Sequence, residues 1–291
     1  MVYTLFATVL YGLLNFLFKM AAEKGCEADQ LVNVVGLTVT VLALATLGFT
    51  AEHPLALFTG PVATYAFFNG LFFALGSLAK VGALKRAPAA IVFPLNRLNT
   101  VLVILIGVSM FHEIPNGVQM LGIATGLGVL ALVTFEQRAN FKSSGDRAML
   151  KGVVWAVGSA VFTALSMTVG KLLAESSSNR LAYICVSYAL GFFFTLGKQS
   201  VTRRGVTWIP ELLNRHMLLY GAGIGALNFA GYFLVLQAFG SGPISLSQAI
   251  FSSSILIPIL LSRLLYREKL TPLRLAAIAL AILSVVLISL K

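Results

Sequence analysis

The residues of this chain best suited to chemistry lie inside its most apolar stretches. Arg97 sits in the run Pro94-Leu95-Asn96-Arg97-Leu98-Asn99-Thr100, within a hydrophobic segment spanning residues 89–111. A charge at mid-bilayer depth costs at least ~2.5–3.5 kcal/mol on insertion scales, so this guanidinium must face a cavity or a partner. The carboxylates of the chain all fall in connecting segments or at segment ends, which leaves Arg97 without an acid at its own depth. An anionic substrate group, carboxylate or phosphate, can supply the countercharge. Backbone carbonyls, or water reached by snorkelling, are the other partners open to it.

Asn96 and Asn99 are three residues apart and share a helix face with Thr100. The matching segment of the second half carries Ser252-Ser253-Ser254, preceded by Ser247 and Gln248. Polar groups thus recur at one depth in both halves, as a site on a shared axis requires; ordinary interhelical hydrogen bonding by Ser and Asn gives the same pattern. Further candidates are Tyr65, paired with Asn69, and the 4-3-4 series Gly221, Gly225, Asn228 and Tyr232. Arg97, Asn96, Asn99, Ser252, Ser254, Tyr65, Asn228 and Tyr232 form the expected substrate-binding set.

Lys19 ends a stripe with Tyr11 and Asn15, and Lys171 lies near the end of another apolar segment. Both are placed for snorkelling, and their equivalent positions also suit gates. Pro94 and Pro258 are mid-segment and each removes a backbone hydrogen bond, as a hinge or a static bend. Glu113 and Glu268 sit in tight connections near helix starts, where a carboxylate favours the dipole; capping is expected ahead of ion coupling. Catalysis finds little footing. His53, His112 and His216 are scattered, and there is no HExxH, Walker loop or GxSxG. No enzyme activity, cofactor or metal is expected.

The elements that must position these groups are membrane helices. The 291 residues are 58% hydrophobic and only 11% charged, where a soluble domain carries about 25%. A bilayer needs about 20 apolar residues per helix. Ten segments qualify, at residues 2–20, 31–49, 62–84, 89–111, 117–135, 150–173, 181–197, 217–239, 244–265 and 273–290. They are apolar all round, so they read as helices and not as alternating barrel strands. The first lacks the basic flank and the cleavage site of a signal peptide and is expected to be retained. The net charge of +11 resides in short connections, so it reads as a topology signal facing anionic lipid and not as a nucleic-acid surface. Cys26 and Cys185 offer no disulfide framework.

The halves repeat. A shift of 155 lays Gly70 on Gly225, Gly76 on Gly231, Pro88 on Pro243 and Glu113 on Glu268. A shift of 152 lays Lys19 on Lys171 and Glu23 on Glu175. Five segments per half is an odd number, so the second unit enters the membrane inverted, an architecture common among secondary transporters. Lys85, Arg86, Arg138, Lys142, Arg203, Arg204 and Arg267 all follow odd-numbered segments, which places those connections in the cytoplasm and both termini outside.

The stretches from Pro88 to Glu113-Ile114-Pro115, with Gln119 and Gly122 beyond, and from Pro243 to Glu268-Lys269-Leu270-Thr271-Pro272 resemble the paired repeats of the drug/metabolite transporter superfamily, specifically its EamA-type ten-helix transporters. The resemblance covers nearly the whole chain. His112 and Arg267 stand where the family has glycine before the glutamate. The resemblance implies a ten-helix fold, a central cavity lined from both halves, and export or exchange of small metabolites, often amino acids.

The expectation is therefore an all-α membrane protein of two inverted five-helix repeats, residues 1–137 and 148–291, in the cytoplasmic (inner) membrane. It would work as a secondary transporter of small anionic or zwitterionic solutes by alternating access. Its expected partners are a small-molecule substrate and the lipid bilayer, with a homodimer as one admissible assembly and no nucleic acid. A lipid-carrier translocase is the first alternative, and a membrane-embedded accessory subunit the second.

Overall fold

The computed structural model describes residues 1–84, 86–87, 92, 95–96, 98–139, 147–176, 178–202, 214–266 and 272–290. Among the described residues the regular structure is helical and no strand occurs. The helices, in chain order, are α1 (Val2–Glu23), α2 (Ala28–Thr50), α3 (Gly60–Leu84), α4 (Leu98–Met110), α5 (Gly117–Ala139), α6 (Arg147–Glu175), α7 (Arg180–Thr202), α8 (Arg215–Ser241), α9 (Ile244–Ser252), α10 (Leu256–Tyr266) and α11 (Pro272–Ser289). A 3-10 turn at Ser253–Ile255 joins α9 to α10, so the two form one span over Ile244–Leu265. The connection before α3 holds a short 3-10 helix, Pro54–Leu57, that its Pro and Gly content did not announce.

Among the described residues, seven helices are long and apolar enough to cross a membrane, and three more, Leu98–Met110, Gly117–Val129 and Leu275–Ile288, are apolar but shorter. Their outer faces carry bare hydrocarbon, with Phe49, Leu150, Val154, Phe193, Leu219 and Leu264 all exposed. Hydroxyls on these helices close on their own backbone four residues back, as Thr38 does on Val34 O and Thr46 on Leu42 O. These threonine hydroxyls are thereby satisfied without water.

Local sequence explains several helix ends. Asn116 and Gln119 form a reciprocal capping box at the start of α5, with N···O distances of 3.0 and 2.8 Å. Asn214 caps α8 by accepting from the His216 N–H, and Asn179 caps α7 by accepting from the Ala182 N–H. α1 stops at Gly25, whose φ of +75° lets the Cys26 N–H turn back to Ala21 O. His112 has φ +50° immediately before Glu113, so the position where the resembled family carries glycine does require a left-handed backbone.

The helices pack mainly across the two halves. α3 packs on α6 as α1 does on α8; α3 packs on α7 as α2 does on α8; α2 meets α7, α4 meets α9 and α5 meets α11. Glycines set the closest crossings. A β-carbon on Gly70 would lie 2.9 Å from Ser187 O and 3.0 Å from Leu190 Cβ, and one on Gly225 would lie 3.2 Å from Val35 O and 2.6 Å from Thr38 Cβ. Ser187 and Leu190 follow Val35 and Thr38 by 152 residues. The second pair behaves alike: Gly76 abuts Phe162 and Thr163, while Gly231 abuts Leu10 and Tyr11, again 152 residues apart.

Candidate functional site

Where α3, α6, α7 and α8 converge, hydroxyl and amide groups replace the hydrocarbon of the surrounding core. Tyr232 is the hub. Its hydroxyl lies 3.2 Å from that of Tyr183 and donates to Asn69 Oδ1 at 3.5 Å. Asn69 Oδ1 also accepts from Ser166 Oγ at 2.5 Å, which ties α6 to α3. Asn228, one turn before Tyr232 on α8, hydrogen-bonds Tyr188 of α7. The rings stack into a wall: Tyr232 lies 6.3 Å from Tyr183 and 5.9 Å, edge-on, from Tyr188, which in turn lies 5.4 Å from Phe73. Gly170 makes room beneath, since a β-carbon there would come within 3.2 Å of the Tyr232 hydroxyl.

Tyr183, Tyr188, Tyr232, Asn69 and Asn228 are all buried. A buried phenol or amide must find a partner or leave a costly orphan. Here the partners are one another. The cluster holds donors, acceptors and aromatic faces without a described charged side chain. Across it, Tyr11 of α1 packs edge-on to Phe251 of α9 at 6.5 Å, and Gln248 is buried with its amide on Met167 Sδ.

Of the expected binding residues, Asn228 and Tyr232 belong to this cluster. Tyr65 is half-buried and packs against the main core. Ser252 is buried, but its hydroxyl is taken by Ala249 O at 2.6 Å and faces Gly126 O of α5 at 3.4 Å, so it serves packing between helices. Ser254 is buried in the 3-10 turn. Asn99 accepts from Thr100 at 3.5 Å, and Asn96 Oδ1 is buried with no hydrogen-bond partner among the described residues. Arg97 and Pro94 lie outside the described residues. Pro258 lacks the N–H that would bond Ser254 O, and the backbone tightens to 3-10 there.

Lys171 departs from its expected snorkelling. It turns inward and is buried, with its Nζ donating to Phe239 O at 2.8 Å, Gly242 O at 3.0 Å and Glu175 Oε1 at 2.9 Å. Glu113 is a helix cap, as expected, but the helix belongs to the other half. Its carboxylate accepts from the Ile244 and Ser245 N–H groups at the start of α9, at 2.6 and 2.9 Å. Lys19 is half-buried and engaged.

Tyr183, Tyr188 and Ser166 went unnoticed in the sequence. The available signal was two tyrosines five apart in an otherwise apolar segment, because each mid-membrane phenol needs a partner.

No curated protein sequence matches the chain. A crystal structure of a protein superposes on 99% of this chain and 95% of its own with a TM-score of 0.77 at 16% identity, so the two share a fold. Residues 150–290 match the EamA-like transporter family. That match covers just under half of the chain, and together with the apolar helices it shows a multi-pass membrane protein whose second half is similar to EamA-like transporters.

Proposed function

We propose that this protein is a secondary carrier that moves a small anionic or zwitterionic metabolite, such as an amino acid, across the cytoplasmic membrane by alternating access. Its ten spans form two inverted repeats, residues 1–137 and 148–291, with odd-numbered connections in the cytoplasm and both termini outside. The observation that carries this reading is the glycine pairing: Gly70 and Gly225 press on positions of α7 and α2 that the repeat itself makes equivalent. Contacts that persist when the halves are exchanged are what two inverted units rocking about a shared axis require.

Arg97 anchors the anionic group, Asn96 and Asn99 orient it, and Tyr232 with Asn228 and Asn69 supplies uncharged hydrogen bonds and an aromatic wall. Pro94 and Pro258 are hinges, and Lys19 and Lys171 close opposite ends. Without a nucleotide-binding motif, transport follows a gradient.

The test has two stages. A thermal-shift screen of metabolites on detergent-purified protein identifies a ligand, because a compound that binds only the folded state raises stability. Uptake of that ligand into proteoliposomes then shows movement. An Arg97→Ala variant should bind it at least tenfold more weakly, which corresponds to about 1.4 kcal/mol. Unaltered affinity removes the anchor role, and binding without uptake removes the carrier.

A further inference from the structure

We propose that the pocket around Lys171 is a built-in site for a monovalent cation, filled by the chain's own ammonium. All three Nζ donors are used on oxygen: Phe239 O at 2.8 Å, Gly242 O at 3.0 Å and Glu175 Oε1 at 2.9 Å. Glu113 Oε1 stands at 4.0 Å and the Phe111 ring at 5.8 Å. The Lys171 side chain is only 6% exposed.

The oxygens come from places that attract a cation on general grounds. Phe239 and Gly242 lie at the carboxyl end of α8, where helix carbonyls lack intrahelical partners and the dipole is negative. Glu175 is one turn beyond Lys171 on α6. Glu113 is held by the first N–H groups of α9 and so is fixed in place before any cation arrives. Two carboxylates and two carbonyls therefore surround one ammonium, and the charge balance favours a cation whether or not it is tethered. Arg180, a described cation nearby, is committed elsewhere, to Gln237 Oε1 and Ala174 O. The 2.8–3.0 Å separations suit an ammonium or an alkali cation of similar size, such as potassium. Glu175, 47% exposed, is the wet edge through which a free ion would pass.

Occupied by its tether, the site joins the ends of α6 and α8 to each other and, through Glu113, to the start of α9. It does so without an ion from solution. The wild-type protein should then hold this end together equally well in sodium, potassium or neither. Removing the tether should expose a site that recruits a small cation.

The experiment follows thermal unfolding of detergent-purified protein in a choline buffer, titrated with methylammonium, potassium or sodium. Wild type should shift by less than about 1 °C. Lys171→Ala should unfold several degrees lower and recover about 2–4 °C with methylammonium or potassium, while added choline does nothing. Lys171→Met, which refills the space without charge, should stay low and unresponsive. Glu113→Gln in the Lys171→Ala background should abolish the recovery. The variant is purified with and without methylammonium, so that a fold that needs the cation shows as recovery only in its presence. Four results overturn the proposal: no response of Lys171→Ala to any small cation, an equal response to choline, an equal response of wild type, or no folded Lys171→Ala in either medium. None of these depends on uptake, so the carrier reading stands or falls separately.

Discussion

The Tyr232 hydroxyl on α8 lies 3.5 Å from Asn69 Oδ1 on α3, and this bond closes a chain of polar groups from Ser166 through to Tyr183. Helices from both halves are thus joined by groups that a substrate can compete for. Tyr232→Phe removes one hydroxyl and should lower uptake about 2- to 12-fold, the worth of a hydrogen bond of about 0.5–1.5 kcal/mol. Asn69→Ala removes the acceptor that Ser166 and Tyr232 share, leaving Tyr232 its contact with Tyr183, and should cost about 1–3 kcal/mol of stability as well. The double variant should lose less than the sum, because the two share one network. Strict additivity in uptake and unfolding would mean that the network is not coupled.

The glycine crossings make a sharper stability test. Gly225→Ala brings a methyl to 2.6 Å from Thr38 Cβ, and Gly70→Ala brings one to 2.9 Å from Ser187 O. Overpacking of this kind costs about 1–3 kcal/mol. Gly158 and Gly48 lie in helices with nothing within 4 Å of the added carbon, so their alanine variants should gain about 0.5–1 kcal/mol through helix propensity. Detergent unfolding of the four variants checks the order. Tolerance at Gly70 or Gly225 equal to that at Gly158 would contradict the close approach.

These cases show what is legible in the sequence. The framework glycines and the Pro–Glu stretches could be read because they repeat, and the contacts of the glycines repeat with them. The polar cluster does not repeat: Tyr232 corresponds to Ser77 and Tyr188 to Gly36 under the same shifts. No internal comparison could have raised those tyrosines above their neighbours. Helix faces left another gap. Ser252 stands at the right depth for a site but points at Gly126, because depth follows from counting residues whereas azimuth follows from packing. Lys171 could be placed near a helix end from sequence, yet its inward turn depends on the carbonyls of Phe239 and Gly242 some seventy residues away.

His112 offers a stabilising change. At φ +50° a side chain pays for a backbone that glycine adopts freely, about 1–2 kcal/mol, offset by glycine's greater chain entropy when unfolded. His112→Gly should therefore raise stability by about 0.5–1 kcal/mol while leaving the Glu113 cap intact. Gly25→Ala, at φ +75°, should lose a similar amount. A denaturation midpoint for His112→Gly at or below wild type would show that the histidine side chain contributes more than its strain costs.

Cys26 reports on orientation and titration together. It lies in the connection after α1, which is cytoplasmic in the proposed topology, and burial pushes its thiol above the ordinary range. A membrane-impermeant maleimide should therefore label it in inside-out vesicles and not in intact cells, while Cys185, buried in α7, stays unlabelled in both. The thiolate is the reactive form, so a raised pKa means less of it at neutral pH and slower labelling than an exposed cysteine. The rate should keep climbing about tenfold per pH unit beyond ~8.5, where an unperturbed thiol begins to level off. Labelling of intact cells would invert the proposed topology, and a plateau near the ordinary thiol value would show that the connection after α1 opens to water.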